Sequence, residues 1–150
     1  MDELRSLRPD AVFTTGTTTS RDISAGFGKE VLVDGYVDRW RELEDLGIDV
    51  VAVRDTPRLP FDAPECLAES DPEGCAVSPA DSLVEESPLE GAELPANVTP
   101  LDLTDLLCEP DLCVPVVGNV LVYWDSSHIT ATYMRTLAPE LERRLPDSTG

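Results

Sequence analysis

A chain of 150 residues, 41% of them hydrophobic, is long enough to bury one core and too apolar to stay disordered. Its 30 Asp and Glu against 11 Lys and Arg leave a formal charge of −19. That charge repels phosphate backbones and anionic bilayers, which argues against nucleic acid as a partner.

The elements read in chain order as follows. Asp2–Arg8 has the pattern of a helix's last turns, with Leu4 and Leu7 on one face, and Arg8-Pro9-Asp10 breaks it. Ala11–Thr15 (AVFTT) follows as a short strand. Residues Gly16–Gly28, rich in Thr, Ser and Gly, are expected to form a loop at that strand's carboxyl end. From Val31 to Leu46 the apolar positions Val33, Val37, Trp40, Leu43 and Leu46 recur at helical steps, with Gly47 as the C-cap. Tyr36 and Trp40 on this helix are expected to fill the core. Ile48–Val53 (IDVVAV) is a β-branched run of the kind found in central parallel strands. Strand, helix and strand with short joints make a βαβ unit, hence an α/β fold. The Pro-rich stretch Arg54–Ala96 is expected to be irregular, with one short helix near Pro79–Glu86. Val98–Leu103 is a further strand that Pro100 pushes towards a sheet edge. Gly118-Asn119 between two apolar arms signals a hairpin within Val114–Trp124. Thr130–Leu145 is an amphipathic helix in which Pro139 should introduce a kink or a restart.

No apolar run reaches the roughly 18 residues of a membrane-spanning helix, and the charged opening MDELRSLRPD is unlike a signal peptide. The four cysteines nevertheless fall in two close pairs, Cys66/Cys75 and Cys108/Cys113. Neither spacing suits a zinc site. Two local disulfides fit better, and they imply an oxidising compartment reached through an exporting segment further upstream.

His128 is the only histidine. Asp125 precedes it by three residues, in Asp125-Ser126-Ser127-His128, between an apolar strand and an amphipathic helix. A carboxylate so placed can hold an imidazole's Nδ1–H and leave Nε2 facing a nucleophile. The alternative is a helix-entry loop, with Thr130 or Ser127 capping and Asp125 favouring the helix N-terminus. Arg54-Asp55, at the end of a strand, either faces the same cleft or forms a local ion pair or turn.

The block Val117–Tyr133 (VGNVLVYWDSSHITATY), continuing through Leu137-Ala138-Pro139, resembles the closing block of SGNH domains fused behind bacterial acyltransferase-3 membrane proteins, which O-acylate cell-surface glycans. Arg8-Pro9-Asp10, Val53-Arg54-Asp55-Thr56-Pro57, and Leu103-Thr104-Asp105 with the Cys108/Cys113 pair resemble the same family in the same order. The similarity runs from about Leu4 to Leu145. It implies a three-layer, flavodoxin-like α/β sandwich, with residues 1–150 forming the C-terminal part of one SGNH domain whose opening strand and helix are missing. It also implies that Asp125 and His128 are the catalytic pair, that no metal or organic cofactor is required, and that the partners are an acyl donor and a surface glycan met through an upstream membrane acyltransferase segment. The implied location is the extracytoplasmic face of the membrane.

The departures are equally specific. The family's nucleophile lies in a Gly-Asp-Ser block, and this sequence has none: Asp81-Ser82 and Asp147-Ser148 both lack the glycine. Gly16–Ser20 stands where the family carries an oxyanion-hole Asn, but offers Thr and Ser instead. Trp124 and Ser126-Ser127 replace residues expected to be more polar or charged. The expected function is therefore part of an SGNH acyl-ester transferase or hydrolase. The competing expectations are a non-catalytic extracytoplasmic binding domain and an inactive fragment of a truncated gene.

Overall fold

The structure is a computed structural model and describes residues 1–22 and 26–145. Helix α1 (Asp2–Leu7) ends where Arg8 takes a left-handed conformation and its N–H returns to the Leu4 carbonyl. Strand β1 (Ala11–Thr15) then runs parallel to β4 (Asp49–Val53), which in turn pairs in parallel with β5 (Val98–Leu101). The architecture is the expected α/β one, with a parallel central sheet ordered β1-β4-β5. β4 is the middle strand, and its Val50, Val51 and Ala52 are buried, as the run of β-branched residues required. Pro100 sits on β5 at the sheet's edge, where its missing N–H interrupts no ladder.

Helix α2 (Asp34–Glu44) packs Val37, Trp40 and Leu43 against Ile48, Val50 and Ala52 of the sheet, and Met1, Leu4 and Val12 close over the same cluster. Its C-terminus is a Schellman turn. Gly47 has a φ of +68°, its N–H bonds the Glu44 carbonyl, and the Ile48 N–H bonds the Leu43 carbonyl. A β-carbon at Gly47 would be strained in that conformation. On the opposite face of the sheet Val51 and Leu101 are buried, whereas Phe13 is 54% exposed. Among the described residues β1 pairs only with β4.

Three expectations need correcting. The stretch Gly16–Gly28 is not a loop: β2 (Thr18–Asp22) and β3 (Gly26–Val31) pair in an antiparallel hairpin, while 23–25 lie outside the described residues. Thr, Ser and Gly supply loop signals one by one, but the consecutive β-branched Thr17, Thr18 and Thr19 also suit a strand, and cross-strand pairing decides between them. β3 takes Val31 with it, so α2 begins at Asp34 rather than at Val31. The helix near Pro79–Glu86 shrinks to a 3-10 turn over Pro79–Asp81.

The second half of the chain builds its own cluster. Helix α3 (Ala63–Glu69), α4 (Thr104–Leu107), the hairpin β6 (Val116–Val117) and β7 (Val120–Leu121), and α5 (Ala131–Arg144) surround Leu59, Ala63, Leu107, Val122, Tyr123 and Tyr133. Gly118 and Asn119 both have positive φ, as a two-residue hairpin turn demands. Pro139 lies inside α5 without ending it. Its missing N–H leaves one hydrogen bond of the helix unmade. Arg144, in the last turn, bonds both carboxylate oxygens of Asp105 and the Asp102 carbonyl, which ties α5 to α4.

Both expected disulfides are present, Cys66–Cys75 with Cα atoms 6.0 Å apart and Cys108–Cys113 with Cα atoms 4.2 Å apart. The loops they close are stitched together, because Val77 and Cys113 exchange both backbone hydrogen bonds.

Candidate active site

The sheet's carboxyl edge gathers the polar residues that the sequence singles out. β1 leaves the sheet at Gly16, whose N–H donates to the Val53 carbonyl at 2.6 Å. A β-carbon there would lie 2.9 Å from Leu89 and 3.0 Å from the Ala52 carbonyl carbon, so only glycine permits this approach. β4 leaves at Arg54-Asp55.

Arg54 turns inward rather than into a cleft. Its guanidinium bonds the wholly buried Glu30 carboxylate through Nε and Nη2, Asp102 through Nη1, and the Val84 carbonyl. Burial works against the Arg54 charge, but the bonds to Glu30 and Asp102 outweigh it and raise its pKa. Thr17 completes this buried group by donating its hydroxyl to Glu30 at 2.6 Å and accepting the Asp55 N–H at 2.8 Å.

Asp55 is a junction. Its Oδ2 accepts the Thr19 N–H at 2.9 Å and Arg58 Nη2 at 3.0 Å, while Oδ1 accepts the N–H of Thr56. The Gly16–Ser20 segment and the chain following β4 are thereby locked to each other. Arg54 and Asp55 neither face a cleft together nor pair with each other: Arg54 pairs with Glu30 and Asp102, and Asp55 with Arg58.

The loop carrying Asp125 and His128 is pinned at its base by a bridge between Tyr123 and Ile129 and by the Trp124 N–H bonding the His128 carbonyl at 3.0 Å. Within it Asp125 does two things. Its Oδ1 accepts the N–H groups of Ser127 and His128, each at 2.7 Å, and its Oδ2 lies 2.6 Å from His128 Nδ1. Burial works to raise the Asp125 carboxyl. The N–H groups of His128 and Ser127, with the imidazole beside it, outweigh burial and hold it below the usual carboxylate range. A carboxylate at Nδ1 favours the tautomer protonated there, which leaves the Nε2 lone pair free. The imidazole is otherwise open, with a side chain 73% exposed. The helix N-cap belongs to Thr130, whose hydroxyl accepts the Tyr133 N–H, so Asp125 is free of that duty. Trp124, 63% exposed, stands edge to face beside the imidazole with ring centroids 6.4 Å apart.

The loop is also held from outside by the segment after β4. Leu59 N–H bonds the Ser126 carbonyl, Ala63 N–H the Asp125 carbonyl, and Thr56 Oγ1 the Ser127 carbonyl. Sequence reasoning assigned no part to Glu30, placed Thr17 only in the segment standing where the family carries its oxyanion-hole Asn, and read Thr56 only as part of a block of family resemblance. Thr17 and Glu30 lie in or beside the stretch read as a loop, and nothing local in the sequence marks them as buried.

Among the described residues no serine side chain bonds His128, and no cluster of His, Cys, Asp and Glu could hold a metal ion. A depression of about 650 Å³ exists at α4, lined by Asp102, Asp105, Thr104 and Glu109 among others, away from the pair.

Residues 2–143 match the family model described as SGNH domain (fused to AT3 domains). No curated protein and no solved structure shows a significant match to the chain. With the parallel sheet and the match over nearly its whole length, the chain belongs to the family of SGNH domains fused to AT3 domains.

Proposed function

We propose that Asp125 and His128 are the acid–base half of a serine acyl-transfer site whose nucleophile comes from a segment of the parent protein upstream of residue 1. The observation that carries this reading is the 2.6 Å contact between Asp125 Oδ2 and His128 Nδ1, with the rest of the imidazole open to solvent.

In the complete site the serine hydroxyl attacks an acyl ester while Nε2 takes its proton. The tetrahedral intermediate collapses, Nε2–H returns the proton to the departing alkoxide, and the acyl group stays on serine as an ester. An acceptor hydroxyl then repeats the sequence in reverse, with Nε2 taking its proton and later giving one back to serine. Asp125 keeps the imidazole in the Nδ1–H tautomer and stabilises the imidazolium in both halves. Resemblance to the acyltransferase-3 fusions supports acetyl as the acyl group and a cell-envelope polysaccharide or peptidoglycan as the acceptor. The two disulfides suit the oxidising, extracytoplasmic side of a membrane.

Among the described residues one edge of β1 has no pairing strand, and this edge and the half-exposed Phe13 support an upstream contribution, since an added strand with its helix would cover both. The test is labelling with a fluorophosphonate, which traps activated serines. A longer polypeptide carrying the upstream segment should be labelled on a serine before residue 1, and His128→Ala should block it. Labelling that ignores His128→Ala would refute the reading.

A further inference from the structure

We propose that Thr56 is a positioning residue that fixes the direction of the His128 side chain by clamping the peptide unit between Ser127 and His128. The proposal rests on reading His128 as the acid–base group.

The geometry is a pair of two-ended clamps. The Ser127 carbonyl and the His128 N–H belong to one peptide plane. The carbonyl accepts the Thr56 hydroxyl at 2.8 Å, and the N–H donates to Asp125 Oδ1 at 2.7 Å. The preceding plane is held in the same way, with the Ser126 carbonyl accepting Leu59 N–H and the Ser127 N–H donating to Asp125 Oδ1, both at 2.7 Å. A peptide unit bonded at both ends cannot rotate about its flanking φ and ψ without losing a bond, so the Cα–Cβ direction of His128 is set. One end of each clamp is Asp125, the residue that also holds Nδ1. The other ends lie on the segment after β4, and only Thr56 supplies its bond from a side chain.

Thr56 is itself well anchored. Its N–H bonds Asp55 Oδ1, and Asp55 Oδ2 reaches the Thr19 N–H. Pro57, fully buried, follows it and confines the Thr56 backbone to extended conformations. The imidazole, 73% exposed, has little packing of its own to hold it, so these backbone bonds and the Asp125 contact at Nδ1 together carry the orientation. A site that needs Nε2 aimed at a nucleophile loses rate when the base is misplaced by about 1 Å.

The experiment uses Thr56→Val, which keeps the shape and removes the hydroxyl, and Thr56→Ser, which restores it. In the 150-residue chain, hydrogen exchange is read at the Ser127 and His128 amides and, for comparison, at Val50 and Ala52 in the sheet. Thr56→Val should speed exchange at the two loop amides by roughly three- to tenfold, the effect of one lost hydrogen bond. The sheet amides should be unchanged, and Thr56→Ser should return the loop amides to their original rates. In the longer polypeptide, Thr56→Val should lower kcat for nitrophenyl acetate by at least about tenfold with KM little changed, and Thr56→Ser should recover it.

Unchanged loop amides, parallel loss at the sheet amides, no recovery by serine, or loosened loop amides with kcat intact would each overturn the proposal. Absence of turnover in the unsubstituted longer polypeptide would instead refute the acyl-transfer reading, and the exchange rates would still decide whether Thr56 holds the loop.

Discussion

Arg54 and Glu30 meet at the end of the sheet with side chains only 5% and 0% exposed, their Nη2 and Oε2 atoms 3.0 Å apart. Such a pair cannot lose one member cheaply, because the survivor is a buried charge without its partner.

Arg54→Met should therefore destabilise the fold by about 3–5 kcal/mol, since among the described residues Glu30 would keep only Thr17 as a partner. Asp102, the guanidinium's other carboxylate partner, has a side chain 38% exposed, and water can replace it. Asp102→Asn should cost no more than about 1 kcal/mol. Denaturant unfolding of the two variants beside the original chain reads the difference.

Among the described residues, three carboxyls are held below the usual range and contribute to the response to acid. Burial works to raise the Asp102 and Asp125 carboxyls, but Thr104 and Arg54 around the first and His128 and Ser127 around the second bring both below the usual range. The bonds from Arg144 lower Asp105 in the same way. Each folded-state value lies below its unfolded one, so the stability they contribute is present above the unfolded carboxyl range near 3.9 and is lost as pH falls through the folded values. The −19 charge acts oppositely, because protonating surface carboxylates relieves repulsion. In about 1 M salt, where the screening length is about 3 Å, repulsion is suppressed. Thermal melting there should show a Tm that holds between about pH 7 and 5 and drops below about pH 4. A Tm that rises steadily into acid would contradict the inferred directions.

Reduction should weaken the fold at two places. The loops closed by Cys66–Cys75 and Cys108–Cys113 have sequence separations of 9 and 5, each worth about 2–3 kcal/mol by chain entropy. Cys75 and Cys113 are both fully buried and lie next to or within the bridge at Val77. The Cys108→Ala/Cys113→Ala variant should thus lower the urea midpoint, and a reductant should lower the midpoint of the original chain further than that of the variant.

Much of this arrangement was legible from local chemistry. β-Branched density fixes β4 as the buried middle strand, Pro100 sends β5 to an edge, Gly47 ends α2, and Gly118-Asn119 turns a hairpin. Asp125 and His128 could be matched because they lie three residues apart in one loop, where spacing alone brings them into contact. What was not legible depends on partners far along the chain. β2 and β3 exist through each other, and Glu30 is buried only because Arg54 arrives 24 residues later. Thr56 gains its part from Ser127, 71 residues away. No periodicity or turn signal encodes such pairings.

The acyl-transfer reading is tested most directly by turnover of nitrophenyl acetate, measured for the 150-residue chain and for a longer polypeptide that includes the upstream segment. A histidine–aspartate pair without a nucleophile does little for an ester, so the short chain should stay at the rate of buffer. The longer polypeptide should hydrolyse the ester, and His128→Ala should reduce its kcat by roughly four to six orders of magnitude. Rapid turnover by the short chain that disappears in His128→Ala would contradict this account, because one of its own serines would then be the nucleophile.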